Sequence, residues 1–196
     1  RRGAMLTLDD DALNLVFCHA RSYNRWRDEV PNEADLRAIH DLARMGPTTA
    51  NSCPARFVFL CSEEGKERLR PHLSAGNVEK VMTAPVTTII GHDLAFYDHL
   101  HKLFPHVDVR PWFVGKDEHI RITALRNGTL QGAYLLIAAR ALGFDCGPMS
   151  GFDNAGVDRE FFADTTYHSN FLCCIGRGDP EDLVPRHPRF AFEDVC

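Results

Sequence analysis

"DEHIRITALRNGTLQGAYLLIAARALG", residues 117–143, is the stretch on which the fold turns. Asp117 and Glu118 suit the positive end of a helix dipole, and Gly143 is a natural stop, so the spacing predicts one long helix. Its second half is apolar nearly all round, which places it in the interior or at a subunit interface. Short strands lie on either side in sequence: "ARFVFLCS" (55–62), "APVTTIIGHD" (84–93) and "NFLCCIGRGD" (170–179). Shorter helices surround them. "DDDALNLVFCHA" (9–20) sets Leu13, Val16, Phe17 and Ala20 on one helical face, and "NEADLRAIHDLARMGP" (32–47) sets Leu36, Ile39 and Ala43 on another, with Asn32 as cap and Gly46-Pro47 as stop. "SEEGKERLRPHL" (62–73) and the later part of "GFDNAGVDREFF" (151–162) read as two more. Strands and helices mix without strict βαβ alternation, so the expected class is α+β, with helices packed around a small, mostly antiparallel sheet.

The chain has 196 residues, 44% of them hydrophobic, enough for one core and too few for two comfortable domains. A single domain over 5–196 is expected, with residues 1–4 a cloning remnant. A net charge of −5 and a pI near 6.0 give no broad attraction to nucleic acid or an anionic membrane. No apolar run is long enough for a membrane span and no signal pattern opens the chain, so a soluble cytoplasmic protein is expected. Seven cysteines, Cys18, Cys53, Cys61, Cys146, Cys173, Cys174 and Cys196, form no CxxC pair and no zinc-ribbon spacing. They read as reduced thiols, most of them acting as small hydrophobes.

The signatures of the common nucleotide, hydrolase and zinc-protease sites are absent: no GxGxxG after a strand, no GxxxxGK[ST], no GxSxG, no HExxH. His92, His99, His101 and His106 cluster with Asp93 and Asp98, but without the i, i+4 spacing of common zinc sites, and no metal is assigned. Residues 93–116, rich in His, Phe, Pro and Trp without a steady period, suit a long loop or lid over a site better than a core element. Three polar stretches then stand out. "ARSYNRW" (20–26) combines Arg21 and Arg25 with Ser22, Tyr23 and Asn24, an oxygen-binding set for a phosphate or simply a solvated turn. "GPTTANSC" (46–53) crowds polar side chains where a connector would need only Gly46 and Pro47. "GPMSGFD" (147–153) reads as a turn whose glycines bring backbone close to something.

In this order and spacing the three stretches resemble the FMN-dependent nitroreductase family. "PTTANSCPARFVF" is similar to its Pro-Ser-x-x-Asn-x-Gln-Pro-x-x-Phe segment, "GFDCGPMSGFD" to its Gly-then-Pro-x-x-Gly-Phe turn, and "PRHPRFAFEDV" to its basic C-terminal arm. Cys53 stands where the family often has Gln, Ala55 where it often has Trp, and Ser150 where it often has Glu. "GPTTAN", "GKERLRP", "PMSGFD" and "PRFAFED" bring the likeness nearest to the family's malonic semialdehyde reductase branch, associated with pyrimidine breakdown.

The resemblance implies an intertwined homodimer with FMN bound between subunits and NADPH or NADH as hydride donor. Arg21 and Ser22, with Tyr23, Asn24 or Arg25, would hold the phosphate and ribityl chain, joined by Arg186 and Arg189 from an arm over 179–196. The alternative role the resemblance implies for Arg25 is to face the flavin's N1 and O2. Pro47, Thr48, Thr49 and Asn51 would meet the flavin edge, with Asn51 on its pyrimidine side. Pro148, Met149, Ser150 and Gly151 would lie against the central ring, with a backbone N–H directed at N5. The cofactor carries the chemistry, so no catalytic side chain is assigned. The acceptor implied first is malonic semialdehyde (3-oxopropanoate), a small anionic aldehyde for which Arg56, Arg110 or Arg126 could supply the cation. The alternatives are a broad nitro or quinone reductase with a flat cleft lined by Phe104, Trp112 and Phe113, and a flavin-binding protein without turnover.

Overall fold

The computed structural model describes residues 6–196; the expectation for residues 1–4 falls outside them. Four strands form one antiparallel sheet in the order β1-β2-β4-β3: β1 Ala55–Leu60, β2 Val86–Asp93, β3 Asp145–Met149 and β4 Tyr167–Gly176. β1 and β3 are therefore the two edges. β2 is buried at every position, and its alternation splits the core in two. Val86 and Ile90 join a cluster on one face with Leu36, Ile39 and Leu135, while Ile89 joins Leu69, Val81, Val157 and Leu172 on the other. Burying each such aliphatic side chain contributes about 1.5–3 kcal/mol.

The helices are α1 Asp10–Leu13, α2 Glu33–Ala43, α3 Glu63–Leu69, α4 Ala75–Thr83, α5 Leu100–Leu103, α6 Asp117–Ala141, α7 Asn154–Phe161 and α8 Phe192–Val195. α6 is the long helix the sequence predicts. It buries Ile120, Thr123, Ala124, Asn127, Gly128, Gln131, Gly132, Leu135, Ala138 and Ala139, one continuous face at steps of three and one. Gly128 and Gly132 allow this close seating: a Cβ on Gly132 would stand 2.6 Å from the Phe171 ring, and one on Gly128 2.9 Å from His92 Cβ. The opposite face leaves Ile122, Leu125 and Leu130 exposed.

Four expectations need correction. The first helix is only α1 followed by a π-helical turn over Asn14–Cys18, and of its expected face only Val16 is buried, Leu13 and Phe17 being exposed, because no element among the described residues covers them. α4 is an additional helix: Gly76 and its β-branched Val78, Val81 and Thr83 weaken the helical signal, and packing of Val81 supplies what propensity lacks. "DCGPM" is an edge strand rather than a turn. Pro148 is tolerated there because an edge strand has one unpaired side for the missing N–H. Residues 93–116 contain helical turns and their own buried cluster of Phe96, Leu100, Val109 and Phe113, closed by Ile120 and Ala124 of α6. Aromatic contacts stand there in place of a period, with Phe96 and Phe113 edge to face at 4.9 Å.

The thiols divide as well. Cys146, Cys173 and Cys174 are buried, and burial pushes Cys174 up to about 12, which makes it inert. Cys18, Cys61 and Cys196 are exposed and Cys53 is half-buried, so apolar neighbours in sequence do not bury them.

Candidate functional site

The first polar stretch is bound to the β3 edge. Tyr23 N donates to Cys146 O at 3.0 Å beside a parallel bridge between Ser22 and Cys146, and Arg27 N donates to Arg177 O at 2.8 Å. Asp179 N closes the ribbon on Arg25 O at 3.0 Å, and the Tyr23 ring packs on Gly178. Gly147 is required at this junction, since a Cβ there would stand 2.4 Å from Tyr23 O and 2.6 Å from Lys80 Cε. The first and third stretches of the sequence are thus one structural unit.

Beyond this ribbon lies a cavity of about 400 Å³ lined by Phe17, Ala20, Arg21, Ser22, Asn24, Arg140, Val184, Arg186, His187 and Arg189. Four guanidinium groups from three parts of the chain converge on it. Arg21 donates to Val184 O, Arg186 to Cys18 O at 2.8 Å and Ala20 O at 2.6 Å, and Arg189 to His187 O and Pro188 O. Arg140 reaches Val16 O at 3.4 Å, and its buried Nε has no hydrogen-bond partner among the described residues. None of the four forms an ion pair with a carboxylate among those residues. Each backbone contact occupies one end of a five-donor fork. The remaining donors and four full charges are left over, in a chain whose net charge is −5.

Pro148 and Met149 end β3, and Ser150 and Gly151 follow it. Met149 is buried against the sheet, Ser150 is exposed, and Gly151 O accepts from Ser74 N at 3.0 Å and Asn77 Nδ2 at 2.9 Å. Lys80 Nζ lies 3.4 Å from Pro148 O. It is a buried lysine, and burial lowers its pKa from the ordinary range, with Cys174 and Cys173 opposing. Arg140, Asn77 and Lys80 are absent from the sequence-based assignment. Their signal was a lone cation inside "LLIAARALG" and another inside "NVEKVM", each among apolar residues where a charge needs a reason.

The second stretch is elsewhere. Residues 47–51 lead into β1, at the opposite edge, three strand spacings or about 14 Å from β3. Ala50, Asn51 and Cys53 have φ of 49°, 47° and 41°, so this loop needs local support. It receives it. Thr49 N donates to Asn127 Oδ1 and Ala55 N to Gln131 Oε1, both at 2.8 Å, and Asn127 Nδ2 donates to Thr123 O at 2.9 Å. Cys53 N donates to Thr48 Oγ1 at 3.1 Å, Asn51 Nδ2 to Leu103 O at 2.8 Å, and the Tyr134 hydroxyl to Pro47 O at 2.9 Å. Much of the polar crowding at 48–53 therefore serves to hold the loop's own backbone.

In the histidine-rich segment, as elsewhere among the described residues, no three His, Cys, Asp or Glu side chains converge to hold an ion. Asp93 instead ties the segment down. It accepts from Ala95 N at 2.8 Å, Thr166 Oγ1 at 2.6 Å and Arg56 at 2.5 Å, with His99 Nε2 at 3.9 Å.

The chain matches the nitroreductase family over residues 19–177, most of its length. It belongs to that family. A relative in Burkholderia lata, provisionally named an NADH dehydrogenase/NAD(P)H nitroreductase, is 56% identical over 192 residues, covering 98% of both chains. HadB of Ralstonia pickettii, under the same provisional name, is 53% identical over 188 residues, covering 94% of this chain and 96% of HadB. Among solved structures, a provisionally assigned nitroreductase of Exiguobacterium sibiricum in complex with FMN superposes with a TM-score of 0.84 at 21% identity, over 98% of this chain and 99% of that one. At such identity the likeness is one of fold: the sheet and helices described above are those of the nitroreductase fold. No helix among the described residues is long and apolar enough to cross a membrane.

Proposed function

We propose that this protein is an FMN-dependent NAD(P)H oxidoreductase that acts as a homodimer. The observation that carries the reading is the cavity where Arg21, Arg140, Arg186 and Arg189 converge without a carboxylate among the described residues. Four unpaired guanidinium groups around one space repel each other, and they fit a ligand with a dianionic phosphate that takes up their free donors. The cofactor's phosphate would be held there with Ser22 and Asn24. The ring would lie along Pro148–Gly151, beside Lys80, whose Nζ lies 3.4 Å from Pro148 O. FMN, when bound, supplies two-electron chemistry, taking hydride from a nicotinamide and passing it to an acceptor. This chain's residues bind and orient the reactants and exclude water.

Thr48, Thr49 and Asn51 cannot complete that site within one chain, because the sheet separates them from β3. A second copy resolves this. The exposed Leu13 and Phe17 beside the cavity and Ile122, Leu125 and Leu130 on α6 are the apolar surfaces such a copy would cover. The relatives named NAD(P)H nitroreductase support the nicotinamide donor.

The acceptor we propose is malonic semialdehyde, reduced to 3-hydroxypropanoate. Of the three candidate cations, Arg56 is committed to the buried Asp93 and Arg110 to Asp98 at 3.0 Å. Arg126 is exposed on α6, and no hydrogen bond or ion pair of its side chain is seen among the described residues, so it is the cation open to a carboxylate. A nitro or quinone acceptor is favoured by a different observation: Trp112 stands 51% exposed on the 93–116 segment, although Phe113 is buried in its core and cannot line a cleft. The purified protein should be yellow and should bleach on adding NADPH under nitrogen. Reoxidation by the aldehyde supports the first acceptor, and reoxidation by quinone alone supports the second. A bound flavin that never bleaches would leave a binding protein without turnover.

A further inference from the structure

A second cavity, of about 230 Å³, lies between α2, α6 and the start of β1 and takes no part in the flavin reading. Ala55 stands in its wall, at the position where the family often carries Trp, and a methyl group there leaves a space that an indole would fill. Ala43 and Phe57 add apolar surface, and no carboxylate among the described residues lines the space. Gln131 points to an occupant. It is only 7% exposed, its Oε1 accepts from Ala55 N at 2.8 Å, and its NH2 has no hydrogen-bond partner among the described residues. An amide this deeply buried with both N–H groups unspent costs free energy unless something in the cavity accepts from it. Arg44 adds a cation at the rim. Its Nε meets Asp41 at 3.2 Å, and neither terminal nitrogen is engaged among the described residues. Arg56 borders the space too, but its Nη2 is held by Asp93 at 2.5 Å and its Nη1 by Ala55 O at 2.9 Å.

Charge and size then limit the ligand. Asp93 offsets the charge of Arg56 and Asp41 part of that of Arg44, so the wall suits a monoanion rather than a dianionic phosphate. At about 30 Å³ for each water-sized group, the space holds about seven such groups. We propose that this cavity binds a short-chain carboxylate of about five to seven heavy atoms. Its oxygens accept from the Gln131 NH2 and the free Arg44 donors, and its alkyl chain lies against Ala43, Ala55 and Phe57. The Cys53 thiol lines the same space, with its Sγ 3.5 Å from Asn51 Oδ1, and so reports on occupancy. None of the residues assigned to the flavin holds the carboxylate, so this site stands or falls apart from the cofactor.

Butanoate is the probe and butyramide, neutral and of the same shape, the control, both titrated at constant ionic strength into the purified protein in its native assembly. At ten times its dissociation constant butanoate should raise Tm by about 3–6 °C, and butyramide should not. Butanoate should also slow alkylation of Cys53 by iodoacetamide about tenfold, followed by peptide mass spectrometry, while the exposed Cys61 reacts at an unchanged rate. R44Q removes an exposed charge without touching the core and should weaken butanoate at least tenfold. A55W should abolish the response by filling the space, and R44Q keeps the test decisive if the indole disturbs β1. No saturable response, an equal response to butyramide, a Cys53 that iodoacetamide never reaches, or wild-type affinity in R44Q would each overturn the inference and leave the flavin reading intact.

Discussion

The two edges of the sheet carry polar residues of the same kinds and put them to opposite uses. At the β1 edge, Thr48, Asn51, Asn127 and Gln131 give their donors and acceptors to backbone groups of their own chain, which holds a loop with three residues at positive φ. At the β3 edge, four guanidinium groups meet backbone carbonyls with one end of each fork and keep the rest unspent. Composition alone does not separate a site from a scaffold. What separates them is how many donors remain after the chain has satisfied itself.

That contrast predicts different failures. R21A, at the unspent edge, should weaken FMN binding about 100-fold through the loss of charge-assisted hydrogen bonds, read by fluorescence titration, with little change in the melting temperature of the flavin-free protein. An R21A protein that binds flavin normally but melts early would place Arg21 with the scaffold. N127A, at the spent edge, should do the reverse. It leaves Thr49 N–H without its acceptor and should cost about 2 kcal/mol of stability, or about 4–8 °C in Tm. Retention of wild-type stability would mean that the loop does not depend on the amide.

The smallest effect concerns acid. His92 is buried beside the β1 start, and burial lowers its pKa, reinforced by His168, while Asp158 and Asp93 oppose. The folded protein therefore holds His92 neutral in a pH range where the unfolded chain, with a value near 6.5, takes up a proton. Stability should fall as pH drops from 7 towards 5, because the unfolded state then binds more protons than the native one. H92Q should flatten that fall in denaturant titrations at both pH values. An unchanged slope would assign the acid sensitivity to another group.

The sequence made the fold legible where periodicity was strong and burial one-sided. α2 follows its predicted face and α6 its predicted span, β2 follows its β-branched run, and β4 its apolar run. It was silent on α4 and misleading on β3, since Gly147 and Pro148 are turn residues unless the strand is an edge with a ribbon beside it. Of the candidate site, Arg21, Ser22, Asn24, Arg186 and Arg189 were found as residue types and meet in one cavity. Arg140 was not, because its part depends on α6 ending beside the chain's first turn, a contact 124 residues long in sequence. The separation of residues 47–51 from 147–151 was equally invisible, for strand order is a property of the assembled sheet.

The π-helical turn at Asn14–Cys18 holds one more residue than an α-helical turn, closed by His19 N donating to Asn14 O at 2.8 Å. That surplus residue sets the angular phase at which Val16, Cys18 and Ala20 present their carbonyls to Arg140 and Arg186. Deleting a single residue from this turn would restore ordinary winding and change which carbonyls face Arg140 and Arg186. The chain's first turn thus acts as a gear setting, with the aim of the arginine cluster as its output.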